Sequence, residues 1–172
     1  MHSINLEGFL GRSLKIPADL HYDSEQNLWA RQKEPGLVEV GFAEPLILLV
    51  GGIKDLEPLV DDGAEVKAGD MVLLAITAKI RYLQSPLGGK ISFRPDLAGA
   101  IDRVTADPYD TPLFSLAGAD IQGSELADVQ DYAKVLCRSE GARNPGGHTG
   151  GVSPTCKAVY QGISGQRLTG GD

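Results

Sequence analysis

Apolar and polar positions along this chain come in short bursts separated by turn residues, the rhythm of a protein built mainly from β-strands. The clearest signal runs from Val66 to Gly89. A Gly69-Asp70 turn opens an apolar run from Met71 to Ala78, Lys79 interrupts it, and a second β-prone run from Ile80 to Leu83 leads into Ser85-Pro86 and Gly88-Gly89. Two such runs broken by one cation predict a hairpin with Lys79 at or near its tip. Apolar residues occupy both faces of the first strand. That predicts burial on both sides, in a sandwich or flattened barrel, with the charged side chain leaving where the strand ends.

Other segments fit the same architecture. Glu34-Pro35-Gly36 reads as a tight turn, after which Val38 and Val40 alternate against Glu39. Pro45 to Val50 is open between a buried strand and a short helix whose first turn Pro45 would suit, and Gly51-Gly52 ends it either way. Pro58 confines the strand from Ile53 to Leu59 to a sheet edge. Lys90 to Phe93 and Leu113 to Leu116 read as strands, while Leu97, Ile101 and Val104 stand at helical spacing around Gly99 and predict one or two weak turns. Trp29, the only tryptophan, lies between strands and reads as a core or rim anchor in preference to a partner hot spot. Ser124 opens a helix over 124–138: it can cap the N-terminus, Glu125 and Asp128 favour the dipole, and Leu126, Val129, Ala133 and Leu136 share a face. The expected organisation is a flexible leader over 1–15 that packs little, a folded domain over 16–138, and a flexible Gly-rich tail over 139–172.

Several of these pieces together resemble a known family. Val66-x-x-Gly69-Asp70, an apolar strand, Lys79, a return strand, Ser85-Pro86-x-x-Gly89 and Ile91 resemble the lipoyl and biotinyl carrier fold. Ile16-Pro17-Ala18-Asp19-Leu20 with Tyr22, Leu28-Trp29-Ala30-Arg31 and Val38-Glu39-Val40-Gly41-Phe42 are similar to the opening of the glycine cleavage system H protein. Val104-Thr105-Ala106-Asp107-Pro108-Tyr109, followed by Leu113-Phe114, resembles that family's Val-Asn-x-Asp-Pro-Tyr and closing strand. The similarity spans Ile16 to about Leu136, and Asp-Pro-Tyr is its most specific element.

This resemblance implies a mainly β, lipoyl-domain-like flattened barrel-sandwich hybrid with a C-terminal helix docked on it. It also implies a non-catalytic carrier with lipoate in amide linkage on Lys79, flanked by Thr77, Ala78 and Ile80. The cargo would be an aminomethyl group. Implied partners are a pyridoxal-phosphate glycine decarboxylase, an aminomethyltransferase, dihydrolipoamide dehydrogenase and a lipoate-attaching enzyme. Around the modified lysine the family pattern is Glu-Ser-Val-Lys-Ala, and this chain has Ile76-Thr77-Ala78-Lys79-Ile80. The interval to Ser85-Pro86 is also one residue shorter, a loss that the turn or a bulge must absorb and that sets Lys79 slightly off the tip. Two alternatives follow from these departures: an H-like scaffold without cofactor, acting through Leu46 to Val50 and the tail, or lipoate carriage in another redox or sulfur-transfer pathway. Biotin carriage is disfavoured, because that relative flanks its lysine with methionines.

Composition narrows the field further. At 172 residues with 42% hydrophobic content the chain suits one domain with additions. A net charge of −7 and no cluster of Lys and Arg exclude broad nucleic-acid binding. No run reaches membrane-spanning length and no cationic segment precedes an apolar core, so a cytoplasmic protein is expected. Cys137, His148 and Cys156 are weak metal candidates; with no Cys-x-x-Cys clamp, two unrelated thiols take precedence. Asp61-Asp62-Gly63 lacks the further ligands of a calcium loop. No nucleophile elbow, phosphate loop or metalloprotease pair occurs. Schiff-base chemistry at Lys79 would need a desolvated amine, which a wet hairpin tip does not provide.

Overall fold

The computed structural model describes residues 3–143, 157–161 and 167–168. In chain order it runs β1 (Ser3–Phe9), β2 (Arg12–Pro17), β3 (His21–Asp23), β4 (Leu28–Glu34), β5 (Leu37–Phe42) and helix α1 (Glu44–Val50). Then come β6 (Asp55–Pro58), β7 (Glu65–Val66), β8 (Met71–Ile76), β9 (Ile80–Gln84) and β10 (Gly89–Phe93). The remainder is α2 (Ile101–Ala106), β11 (Phe114–Ala117), α3 (Val129–Arg143), β12 (Lys157–Gln161) and β13 (Arg167–Leu168). The expected mainly β class with short helices is what forms. Among the described residues no helix is long and apolar enough to cross a membrane.

Contacts divide the described residues into two units, Glu25–Leu126 and the segments flanking it. In the central unit β4, β5, β11, β10 and β7 lie side by side as one sheet, and β6, β8 and β9 form another. Val38, Val40, Phe42, Ile91 and Leu116 from the first sheet share a core with Leu56, Leu73, Ala75 and Leu83 from the second. Each such side chain is worth about 1.5–3 kcal/mol when fully buried, so these facing rows hold the sandwich together. The ambiguous Pro45 segment is helical. Proline stands in its first turn, Gly51 closes it in the left-handed region at φ 73°, and Leu46 and Ile47 pack into the core.

The Asp-Pro-Tyr piece is clasped from two sides. Trp29 Nε1 donates to the Pro108 carbonyl at 2.8 Å, and Arg31 donates to the Tyr109 carbonyl at 2.7 Å. The Tyr109 hydroxyl accepts from the Glu44 N–H at 3.1 Å, satisfying a free donor at the start of α1. Burial raises the pKa of that hydroxyl above its ordinary value, against the lowering effect of the Glu44 bond. Trp29 is fully buried, as expected of a core anchor.

In the flanking unit the expected loose leader is corrected. Residues 3–17 form an antiparallel hairpin, with Ile4, Leu6, Phe9, Leu14 and Ile16 buried. A bulge between Glu7 and Phe9 returns Phe9 to the apolar side, and the turn is made by Leu10 and Gly11, both at positive φ. The anticipated boundary at 15/16 falls inside β2. Of the tail expected over 139–172, residues 139–143 continue α3, and β12 pairs with β1 from Ser3↔Gln161 to Glu7↔Lys157, while 144–156, 162–166 and 169–172 lie outside the described residues. The open edge of an amphipathic hairpin offers unpaired backbone groups, and a further strand satisfies them.

The C-terminal helix starts at Val129 rather than Ser124. Ala127 is held in a two-way bridge with Tyr22, each N–H donating to the other carbonyl at 2.8 Å, so residues before it cannot be helical. Asp128 is the cap instead, accepting from the Asp131 N–H at 2.9 Å. Val129, Tyr132, Ala133 and Leu136 form the buried face, and Tyr132 stacks on Tyr22 with ring centroids 4.3 Å apart. Asp128→Ala is expected to cost about 1 kcal/mol, read as a lowered midpoint in urea unfolding, whereas Ser124→Ala should leave the midpoint unchanged.

Candidate functional site

The base of the β8–β9 hairpin is fixed by the turn residues that made it legible. Ser85 N–H donates to the Asp70 carbonyl at 2.8 Å and Gly69 N–H to the Ser85 carbonyl at 2.9 Å. Asp70 accepts from the Lys67 N–H, and the buried Ser85 hydroxyl donates to the Leu87 carbonyl at 2.6 Å. Gln26 clamps the outer side of β9, donating to the Gln84 carbonyl at 2.9 Å and accepting from its N–H at 2.7 Å.

At the far end Ile76 pairs with Ile80, leaving Thr77, Ala78 and Lys79 as the loop. Ala78 is central and Lys79 follows it, slightly off the tip as expected. Thr77 closes the loop. Its N–H and its hydroxyl both donate to the Lys79 carbonyl, at 2.8 and 2.9 Å, and the hydroxyl accepts from the Lys79 N–H at 3.1 Å. Thr77 is buried, whereas Ala78, Lys79 and Ile80 are exposed. Among the described residues no carboxylate lies within ion-pairing distance of the Lys79 ammonium. The side chain therefore leaves a fixed backbone and reaches solvent freely.

The shortened interval is taken up by a bulge. Pairing shifts between Met71↔Gln84 and Leu73↔Leu83, which lets Val72 and Leu73 both face the core. Burial of β8 on both faces is not what forms. Leu56, Leu73, Ala75 and Leu83 point inward, while Leu74 and Ile76, on the other side of the sheet, are half-buried. Ile76 and Ile80, which stand where the family's lysine pattern has an acid and a small residue, are direct cross-strand neighbours. Tyr82 shares their face and was missed by the sequence reading, although the period-two spacing Ile80, Tyr82 along β9 is its signal.

Of the four consecutive residues expected at the lysine site, Thr77, Ala78 and Lys79 form the loop and Ile80 begins β9. Cys137 lies in α3, and His148 and Cys156 lie outside the described residues. Among the described residues no group of three or more His, Cys, Asp or Glu is arranged to hold a metal ion.

A crystal structure of a glycine cleavage system H protein from Mycobacterium marinum superposes with a TM-score of 0.57 at 24% identity, covering 69% of this chain and 96% of that one. Two sheets over one core, with a lysine hairpin at one end, make this the lipoyl-domain-like barrel-sandwich fold. The chain is 32% identical over 126 residues to the glycine cleavage system H protein of Paraburkholderia phymatum, covering 72% of this chain and 98% of that protein. It is 33% identical over 124 residues to the H protein of Methylococcus capsulatus, covering 70% and 95%. No family model matches the chain. On these likenesses the chain belongs to the glycine cleavage system H protein family.

Proposed function

We propose that the protein is a non-catalytic carrier that holds lipoate in amide linkage on the Lys79 amine and moves an aminomethyl group between partner enzymes. Those partners are a pyridoxal-phosphate glycine decarboxylase, an aminomethyltransferase and dihydrolipoamide dehydrogenase, with a lipoate-attaching enzyme acting first. The observation that carries this reading is Lys79 itself, exposed and without an ion-pair partner among the described residues, in a loop closed by Thr77, in a chain of the H protein family. Its residues fit the group: the amine is accessible, and the hairpin behind it is pinned at both ends. Lipoate supplies a dithiolane for redox and group transfer. The chain supplies the anchor. Thr77 fixes the point from which the arm leaves, so motion is confined to the arm. A short tether of this kind holds its cargo at an effective concentration on the order of mM at each partner.

Ile76, where the family has an acid, favours a second reading: an H-like scaffold with unmodified Lys79, or lipoate carriage in a different redox or sulfur-transfer pathway. Of the Leu46 to Val50 segment that such a scaffold would use, Leu46 and Ile47 are buried in the core, while Leu48, Leu49 and Val50 are half-buried. The deciding measurement is the intact mass of the protein purified from its own host, with peptide mapping across Ala78-Lys79-Ile80. A lipoyl-sized increment on Lys79 is expected. A wholly unmodified lysine, in cells whose other lipoyl proteins are loaded, would replace the carrier with the scaffold.

A further inference from the structure

The outer face of the larger sheet carries a polar cleft that the lysine hairpin does not use. Pairing sets Ser92 beside Ser115 and Ser115 beside Glu39, so the three form one row across β10, β11 and β5. Their strand neighbours Val38, Val40, Ile91 and Leu116 belong to the core, which puts the row on the side away from β6, β8 and β9. With Arg94 one residue past β10, and Pro95 and Pro112 as walls, the row lines a cleft of about 210 Å³. Its polar groups have bonding capacity to spare. The Glu39 side chain is only 18% exposed, yet its carboxylate accepts no hydrogen bond from the described residues. The neighbouring cations stand off, Arg31 at 3.6 Å and Lys33 at 3.8 Å, and Arg31 is committed to the Tyr109 carbonyl at 2.7 Å. Neither serine hydroxyl has a hydrogen-bond partner among the described residues.

We propose that this cleft binds a small α-amino acid, its ammonium group on Glu39 and Ser115 and its carboxylate on Arg94 and Ser92. The two charges select the class of ligand. An inorganic anion would meet Arg94 but lie against the Glu39 carboxylate, and a simple amine would suit Glu39 but face the Arg94 cation. A zwitterion answers both. Asp96 takes the Arg94 Nε at 2.7 Å and leaves the remaining guanidinium N–H groups, whose fork matches a carboxylate. Adjacent strands lie about 4.8 Å apart and alternate residues about 7 Å apart, so the Glu39 and Arg94 Cα atoms stand roughly 12 Å apart on this face. Both side chains line the cleft, and a short zwitterion with hydrogen bonds at each end spans them. The rigid rings of Pro95 and Pro112 offer apolar contact to a hydrogen or methyl side chain and no polar side-chain group to a longer one. The cleft and the lysine hairpin lie on different sheets, so this site stands apart from Lys79 and its assignment.

The test is proton–nitrogen correlation NMR of the full chain titrated with glycine and L-alanine, with acetate and methylammonium as probes that carry one charge each. Saturating shifts at the Glu39, Ser92, Arg94 and Ser115 amides are expected, with a Kd on the order of 1 mM for the amino acids. Each single-charge probe should bind about tenfold more weakly or worse. Glu39→Gln and Arg94→Gln should each weaken L-alanine binding about tenfold or more, and Ser115→Ala about threefold. Glu57→Gln, on β6 of the other sheet, should leave it unchanged. Thermal midpoints identify a charged variant that has lost its fold. Ser115→Ala then decides, since its hydroxyl bonds no described residue, and unchanged affinity there would overturn the site. Shifts that do not saturate, that acetate or methylammonium reproduces, or that persist unchanged in Glu39→Gln and Arg94→Gln would overturn it as well. So would saturating shifts centred on Ile80 and Tyr82, which would place the ligand on the other sheet.

Discussion

Exchanging Lys79 for arginine is expected to abolish the lipoyl mass increment completely while leaving the fold untouched. Acylation needs an amine that can give up a proton and offer a lone pair, and a guanidinium stays protonated throughout. Arginine keeps the charge and approximate length of lysine, so electrostatics and solubility are held constant. The loop does not depend on the lost side chain either: its closing bonds run between Thr77 and the Lys79 backbone N–H and carbonyl. Substitution at an exposed position of this kind is worth within about 0.5 kcal/mol, so the thermal midpoint should be that of the wild type. The readouts are intact mass and glycine-dependent aminomethyl transfer reconstituted with partner enzymes. Both should fall to background. A full mass increment surviving in Lys79→Arg would move the attachment to another lysine and overturn the assignment.

The hairpin was legible because its chemistry is local. Gly69-Asp70 and Ser85-Pro86 announce turns wherever they occur, and the Ser85 and Asp70 hydrogen bonds show why these types stand there. The shorter interval was legible too, as a loss that the turn or a bulge must absorb, and of the two it is a bulge in β8 that forms. What escaped reading was set by partners distant in sequence. In the leader, Ile4 and Leu6 alternate with Asn5 and Glu7, and Leu14 and Ile16 with Ser13 and Lys15, a valid strand pattern on both sides. Gly8 breaks the first alternation, and the Leu10-Gly11 turn lacks an Asn-Gly signature, with Leu10 held at φ 50°. Neither helix cap is wrong by propensity; the bridge between Tyr22 and Ala127 decides for Asp128 over Ser124. In β8, apolar residues on both faces signalled full burial, yet Leu73 and Ala75 are buried and Leu74 and Ile76 only half-buried. That mismatch leaves Ile76, Ile80 and Tyr82 together beside Lys79.

Trp29→Ala is expected to be the most damaging single truncation in the central unit. The side chain is fully buried, and its removal should cost about 3–5 kcal/mol in lost burial and cavity formation. The Pro108 carbonyl, which now accepts from Nε1 at 2.8 Å, loses that donor. Arg31, stacked 4.8 Å from the ring centroid, loses the surface that aims it at the Tyr109 carbonyl. The total is a large share of the roughly 5–15 kcal/mol that stabilises a domain, and the midpoint should drop by about 10 °C or more. Gly41 supplies the internal check. A Cβ there would stand 2.5 Å from Trp29 ring carbons, so Gly41→Ala alone forces the indole to move and should cost about 1–3 kcal/mol. With the indole removed, the same methyl enters empty space. The double variant Trp29→Ala/Gly41→Ala should therefore be no less stable than Trp29→Ala, a non-additivity of about 1–3 kcal/mol measurable by urea unfolding followed by circular dichroism. Additive costs would mean that Gly41 is constrained by its backbone and not by the tryptophan, and the clasp on the Asp-Pro-Tyr turn would then need another anchor.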